Sequence, residues 1–431
     1  MKQIFDSLLE KLRTSLWPLP ALIALGCLCL SQLSLRLNRV GALRQFSEQY
    51  LPVSDNALQN ILTAIAGSVV SFGGVVLSMT MVSITLASGQ FGPKVLREYL
   101  NNTLAKLTLG LFIGTFVFCI VTLTTLPAVT VPGLTVLTAL SLALLSFMLF
   151  VVFIHHTTLS LQADRIVRSI AVQLEAALAL YCDHRHTSDK PALLGRWQEQ
   201  AARRPQCLLR ARRSGYLESV DYAAAEAILQ EHKALLEICC RPGEFLIEGQ
   251  ILGTLYYDDN HDCASAITDQ FLLAPLRTPV QDPEFAITQI TQIAERALSP
   301  GVNDPGTAIT CIDWLVAAIA GIIDRELPGE LYCSDENDVR IKRKRPDFDD
   351  FFDITFDTLR EHARGNRQVL LCLIRACATL AGYTRRPARL ASLQTLLDSL
   401  AHTALKDADC PQDERKLRTA LQAAQSAIGT A

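Results

Sequence analysis

The stretch ALQNILTAIAGSVVSFGGVVLSMTMVSITLASGQFG, residues 57–92, contains no Asp, Glu, Lys or Arg. A helix of a soluble domain must show one face to water, and that face ordinarily carries charge. Wound as one helix, the stretch would reach about 54 Å at 1.5 Å per residue. A bilayer core is only about 30 Å thick. We therefore read a membrane span that must tilt, protrude or break, with Gly73-Gly74 as its weak point.

Working outward, a second run without charged residues extends from Leu107 to Ala163. It is long enough for two spans joined by a tight turn at Pro127 to Pro132. A further apolar stretch begins at Trp17, after Lys11 and Arg13, and reads as an uncleaved anchor because no convincing small-x-small cleavage site follows it. Four spans are expected, at about 17–35, 57–87, 107–126 and 133–154. The expected fold class is an α-helical integral membrane domain of four transmembrane helices, followed by an α+β, mainly helical, cytoplasmic domain.

Composition agrees. Half of the 431 residues are apolar and 19% are charged, and the mean hydropathy is +0.24. A disordered chain would be more polar. The net charge of −3 argues against a nucleic-acid partner, which usually calls for a basic surface. Thirteen cysteines are too few for a disulfide scaffold of this length, and no C-x-x-C pair suggests zinc.

Charge sets the orientation. Placing the N-terminus inside leaves Lys2, Lys11, Arg13, Lys94, Arg97, Lys106, Arg165 and Arg168 in the cytoplasm, against Arg36, Arg39 and Arg44 outside. Basic residues near span ends favour the inner side, so both termini are expected in the cytoplasm of a bacterial inner membrane. The domain boundaries read as follows. Residues 1–16 form an interfacial amphipathic helix, 17–158 the transmembrane domain, 159–206 a connecting helix and linker, 207–258 a small β-rich subdomain, and 259–431 a helical cytoplasmic domain with a charged loop at 327–350.

Within the second span, Gly67, Ser71, Gly74, Ser78, Thr85 and Ser88 fall on one helical stripe. Small and hydroxyl residues let helices approach closely, and the same stripe would also line a narrow wet path. No expected span contains an acidic or basic residue, so no intramembrane ion pair or proton relay is expected.

Further on, Cys207–Arg212 and Tyr216–Asp221 read as strands flanking a hairpin turn at Arg213-Ser214-Gly215. Leu235–Cys240 and Ile251–Tyr257 are also strand-like. Tyr257 to Asp262 is acidic and reads as a solvated loop. Asp282-Pro283-Glu284 and Asp304-Pro305-Gly306 each place Asp at a helix N-cap and Pro in the first turn. With Ser299, Pro300, Asn303 and Thr307 they make a helix–helix corner. Arg277 and Arg296 lie nearby in sequence as possible anion contacts. The run Arg340, Lys342, Arg343, Lys344, Arg345 falls in the charged loop, exposed to water or to anionic headgroups.

Several of these stretches carry a resemblance. Ser299-Pro300-Gly301-Val302-Asn303-Asp304-Pro305 with Thr307-Ala308, preceded by Gln281-Asp282-Pro283-Glu284-Phe285, resembles the hallmark of a bacterial family of predicted membrane proteins of unknown function, DUF2254. Ser15 to Pro20, Ser83 to Pro93, Gly215 to Asp221 and Arg241-Pro242-Gly243-Glu244-Phe245 resemble it too, in matching order. The resemblance implies a multi-span membrane region with a cytoplasmic domain, and it supplies no catalytic residue. No P-loop, G-x-S-x-G or HExxH motif is present, so neither an enzyme nor a bound cofactor is expected. Two functions remain. One is a homo-oligomer in the lipid bilayer forming a channel-like ion or solute pathway. The other is a membrane-anchored sensor or scaffold whose soluble partner or ligand is unknown.

Overall fold

The computed structural model describes residues 17–37, 55–91, 103–125, 133–160, 162–182, 187–188, 191–258, 263–332, 338–406 and 410–430. The expected helix over 1–16, the turn at Pro127 to Pro132 and residues 259–262 of the acidic stretch lie outside them. The chain divides into two compact units, Met1–Gln162 and Ala163–Ala431.

The first unit contains α1 (Pro18–Leu37), α2 (Asp55–Phe91), α3 (Thr103–Thr125) and α4 (Gly133–Ser160). Three of them are long and apolar enough to cross a membrane, over Asn56–Leu86, Thr103–Thr125 and Thr135–Leu159. The apolar part of α1 among the described residues, Pro18–Ser34, is shorter, and Arg36 lies in the last turn of the helix. Among the described residues the count from length and composition is three. Helix α2 runs unbroken through Gly73-Gly74, so the expected weak point does not interrupt it.

The helices of this unit meet in two ways. Leu58, Leu62, Ala66, Val69 and Val76 of α2 bury one face against α3 and α4, in clusters built on Phe112, Phe118, Phe150 and Phe153. Helix α1 instead closes on the bare backbone of α3. A Cβ at Gly110 would stand 2.7 Å from Ile23 Cδ1 and 2.9 Å from Pro20 Cα, and one at Gly114 would stand 2.7 Å from Cys27 Sγ. Glycines four apart allow this approach, which packs helices tightly without help from water. Buried hydroxyls then pair across the seams: Ser31 Oγ with Thr122 Oγ1 at 3.0 Å, and Thr115 Oγ1 with Ser146 Oγ at 3.1 Å.

The second unit begins with α5 (Ala163–Tyr181). It continues with β1 (Thr187–Ser188), α6 (Pro191–Ala202), β2 (Gln206–Arg210), β3 (Gly215–Val220), α7 (Tyr222–Glu231), β4 (Leu235–Ile238), β5 (Phe245–Leu246), β6 (Ile251–Tyr256), α8 (Ala264–Thr268) and β7 (Phe271–Ala274). Then come α9 (Pro283–Leu298), α10 (Pro305–Ala320), β8 (Leu331–Tyr332), β9 (Ile341–Arg343), α11 (Phe348–His362), α12 (Arg367–Ala381), α13 (Pro387–Lys406) and α14 (Pro411–Thr430). A six-stranded sheet has the order β1-β8-β9-β4-β6-β2, and a three-stranded sheet the order β5-β3-β7. Leu209, Leu217, Val220, Leu236, Leu246 and Leu255, with Leu229 of α7 and Ile267 of α8, share one core. Helix α5 packs on α9 and α10, and α11 buries Phe348, Phe351, Phe352, Phe356 and Leu359 at helical spacing.

Two expectations are corrected here. The strands on either side of Arg213-Ser214-Gly215 are not a hairpin, because β2 pairs with β6 and β3 with β5 and β7. The connection passes from one sheet to the other. Arg212 and Arg213 anchor it on Asp269 and on the Leu273 carbonyl. The segment 327–350 is not all loop either. Strand β9 lies beside β4 in parallel, with Glu237 opposite Lys342 and Ile238 opposite Arg343. Two charges of this segment are met inside the domain: Lys342 Nζ lies 3.0 Å from Glu237 Oε1, and Arg340 Nε donates to Asp338 at 2.9 Å.

Candidate functional site

The site is built where the N-terminus of α9 meets the end of β3. Gln281 behaves as an extra piece of strand, accepting from Val220 N at 3.1 Å and donating to Val220 O at 3.2 Å. Asp282 follows as the N-cap, its Oδ1 accepting from Phe285 N at 3.1 Å. Asp282 is buried, and the Arg277 guanidinium grips it with two bonds of 2.5 and 3.1 Å. Glu284 is also buried, 3.4 Å from Arg241 and 3.8 Å from Arg277. Arg241 further reaches Glu244 at 3.5 Å and Asp350 at 3.4 Å. Burial pushes both the Asp282 and the Glu284 carboxyl up, against the pull of Arg277 on the first and Arg241 on the second.

The turn Arg241-Pro242-Gly243 covers this ion-pair network. Gly243 has φ +92°, and a Cβ there would fall 2.2 Å from Asp282 Oδ2 and 2.9 Å from Arg277 Nε. Glycine meets both demands, since it tolerates positive φ and lets the backbone lie against the carboxylate.

The opposite wall comes from β9 and the residues after it. Strand alternation sends Arg343 to the side away from Lys342. Arg343 is 7% exposed, with its guanidinium carbon 4.6 Å from the Tyr222 ring centroid and 5.1 Å from that of Tyr332. Those rings stack at 5.3 Å. Among the described residues the Arg343 Nε has no hydrogen-bond partner, while the Arg343 side chain does hydrogen-bond that of Tyr222. Arg345 lies over Tyr181 at 3.9 Å and donates to its carbonyl at 2.8 Å, while the Tyr181 hydroxyl donates to the Pro346 carbonyl. Burial pushes the Tyr181 phenol up to about 12, opposed by Arg345, and raises Tyr222, opposed by Arg343. The same burial lowers Arg343.

Between the walls is a cleft of about 220 Å³, lined also by Ala177, Leu180, Pro242, Val280 and Lys344. The acids of one wall are matched by Arg241 and Arg277. Among the described residues no carboxylate pairs with Arg343 or Arg345. The cleft wall thus presents two guanidinium groups, each lying over tyrosine rings.

The residues expected from sequence are placed as follows. Asp282 and Pro283 line the cleft, and Arg277 is tied to Asp282. The corner at Ser299, Pro300, Asn303, Asp304, Pro305 and Thr307 stands at the other end of α9. There Ser299 is the C-cap of α9, and Asn303 takes φ +48°. Asp304 Oδ1 accepts from Thr307 N at 3.2 Å and Oδ2 from the Thr307 hydroxyl at 2.6 Å. Those bonds hold the Asp304 carboxyl below its ordinary range. Arg296 is exposed, and the contact it gives the corner is its carbonyl, which accepts from Ser299. Arg277 and Arg296 are thus engaged at opposite ends of one helix.

In the first unit, Gly67, Ser71, Gly74, Ser78 and Thr85 are all exposed. At 3.6 residues per turn they fall opposite the α2 face packed on α3 and α4. Ser71 and Thr85 hydrogen-bond their own helix, at Gly67 O and Met81 O. The Ser88 side chain lies outside the described residues.

Arg343 and Arg345 are functional candidates that composition hides inside a basic run. The alternation of Arg340, Lys342 and Lys344 with Ile341, Arg343 and Arg345 is the signal that separates them. The Gly110 and Gly114 pair was likewise readable from its spacing.

The two units together define a class: a membrane protein with several apolar helices and an attached α+β domain. The chain belongs to the family described as Predicted membrane protein (DUF2254), which matches residues 13–379. It is similar to the uncharacterized protein Rv1290c of Mycobacterium tuberculosis and the uncharacterized protein Mb1321c of Mycobacterium bovis. Each is 24% identical over 418 residues, covering 93% of this chain and 78% of the relative. No solved structure matches it. The stretches Gly215 to Asp221, Arg241 to Phe245 and Gln281 to Phe285, which carry the family resemblance, meet at the cleft. Tyr216 pairs with Phe245 across β3 and β5, and Gly243 lies on Asp282.

Proposed function

We propose that the protein is a membrane-anchored receptor whose α+β unit binds a small molecule in the tyrosine–arginine cleft. The observation that carries this reading is Arg343, a cation buried in a cleft wall with its Nε unpartnered among the described residues. A buried charge of that kind is costly unless something satisfies it, and the cleft is open to a ligand that would. Helix α1 serves as a fourth span. The reading is supported by its seating on Gly110 and Gly114 and by the Ser31–Thr122 hydroxyl pair, a mode of packing suited to lipid. The basic residues near the span ends favour a bacterial inner membrane with both termini in the cytoplasm. The test is a thermal-shift screen of full-length protein in detergent against neutral, cationic and anionic small molecules, with Tyr332→Leu as the cleft control. Stabilisation by some compound, lost in the control, is expected. A screen in which no compound acts through the cleft defeats the reading.

A second reading is a homo-oligomer with a channel-like path for ions or small solutes. It is favoured by the stripe Gly67, Ser71, Gly74, Ser78 and Thr85, which is turned away from α3 and α4 and open to a second copy. Reconstituted protein should then leak ions, and Ser78→Leu should stop it. Silent vesicles at high protein loading reject this second reading and leave the first untouched.

A further inference from the structure

We infer that the cleft takes a small ligand bearing a doubly charged anionic head, a phosphomonoester by chemical class, held between Arg343 and Arg345 with its body against the tyrosines. This rests on the receptor reading above and names its ligand.

The argument begins with charge. Four cations line the cleft. Arg241 is matched by Glu244, Glu284 and Asp350, and Lys344 lies 3.8 Å from Glu244. The lining acids, Asp282 and Glu284, are held by Arg277 and Arg241. Arg343 and Arg345 have no such acid among the described residues, and Arg345 repels the charge of Arg343. The tyrosines do not neutralise them, because burial keeps the Tyr181 phenol protonated, at about 12, far above neutral pH. Two like charges are therefore kept together with no counter-charge among the described residues.

Next comes shape. Guanidinium is planar and donates in a fork, which suits phosphoryl or carboxylate oxygens. A phosphomonoester carries about −1.5 to −2 at neutral pH and so matches two cations with one group, where a carboxylate supplies only one charge. Each guanidinium already lies over a ring, Arg343 over Tyr222 and Tyr332 and Arg345 over Tyr181, which fixes its plane before any ligand arrives. Leu180 and Val280, both largely exposed at the rim, offer apolar surface to the ligand's body.

The experiment is a thermal-shift titration of full-length protein in detergent at constant ionic strength. The probes are phenyl phosphate, inorganic phosphate, benzoate and benzylamine. At about 100 times its dissociation constant a ligand should raise the unfolding midpoint by roughly 5 °C or more. Phenyl phosphate should act at the lowest concentration, inorganic phosphate next and benzoate last. Arg343→Gln and, separately, Arg345→Gln should each remove at least about nine-tenths of the phenyl phosphate affinity, as expected for losing a charge-assisted bond. Arg296→Gln, a change at an exposed arginine outside the cleft, should leave it intact. Equal action by benzoate and phenyl phosphate overturns the phosphomonoester assignment. So does an undiminished response in both cleft variants. If benzylamine or a neutral compound binds and Tyr332→Leu abolishes that binding, the receptor reading stands and this inference fails. If no probe or screened compound acts through the cleft, both fail.

Discussion

Adding one methyl group at Gly243 should do more damage than its size suggests. Gly243 and Gly249 both have positive φ, +92° and +83°. Alanine at either position meets the backbone penalty of the left-handed region, about 1–2 kcal/mol. At Gly249 nothing stands within 4 Å of the new Cβ, whereas at Gly243 Asp282 Oδ2 stands at 2.2 Å and Arg277 Nε at 2.9 Å. The methyl group must push apart a buried carboxylate and its arginine. Breaking such a pair costs about 3–5 kcal/mol, because a charge is left buried alone. Gly243→Ala should therefore cost about 4–7 kcal/mol and Gly249→Ala about 1–2 kcal/mol. At about 2–4 °C per kcal/mol for a domain of this size, the α+β unit should melt at least roughly 6 °C lower in the first variant than in the second. The assay is thermal unfolding of both full-length variants, followed by tryptophan fluorescence, since Trp197 is buried in this unit. Equal midpoints for the two variants would refute the claim that Gly243 is there to accommodate the Asp282–Arg277 pair.

Three further outcomes follow from the same structure. Gly110→Val should drive α1 off α3, because the Pro20 backbone at 2.9 Å cannot yield. A loss of about 1–3 kcal/mol should be read by SDS-induced unfolding, and unchanged resistance would contradict the packing. Iodoacetamide should label exposed Cys410 first. Cys311 and Cys377 are buried, with thiols pushed up by that burial, Cys377 to about 12, so mass spectrometry should find them alkylated only after unfolding. The third outcome concerns pH. Burial raises the Glu284 carboxyl in the folded protein, so the folded state binds that proton more tightly than the unfolded chain. The cost of the buried charge is felt above the folded pKa and relieved as pH falls through it. Lowering pH from about 7 to the ordinary carboxylate value, about 4.3, should stabilise the wild type relative to Glu284→Gln in melting curves. A gap that stays constant across that range would show the carboxyl to be unperturbed.

The long spans are legible in sequence because lipid tolerates no charge, and α2, α3 and α4 each cross a long stretch without one. The starts of α9 and α10 are legible because an Asp-Pro pair satisfies a helix N-terminus by local chemistry alone. Strand partners are another matter. Gly215 reads as a local turn, yet it adjoins Leu246, and its would-be Cβ meets the Ala274 carbonyl at 2.9 Å. Strand β9 is harder still. Its Lys342 resembles loop residue until Glu237, far away in the chain, is known to lie opposite it. The cleft shares that difficulty, since Arg343 owes its burial to Tyr222 and Tyr332. The motifs Arg241 to Phe245 and Gln281 to Phe285 are visible as strings, but that they touch is a fact of the tertiary fold. For α2, the small-residue stripe draws the eye while the bulky opposite face does the intramolecular packing.

The parallel pairing of β9 with β4 has a consequence for how the protein is made. A ribosome delivers β4 early and β9 more than a hundred residues later, so until then β4 has a neighbour on one side only, β6. During that interval its other edge is bare and able to recruit a strand from another nascent chain. A transcript ending before Ile341 would leave it so permanently. Such truncated products should aggregate even though every apolar helix of the first unit is already complete.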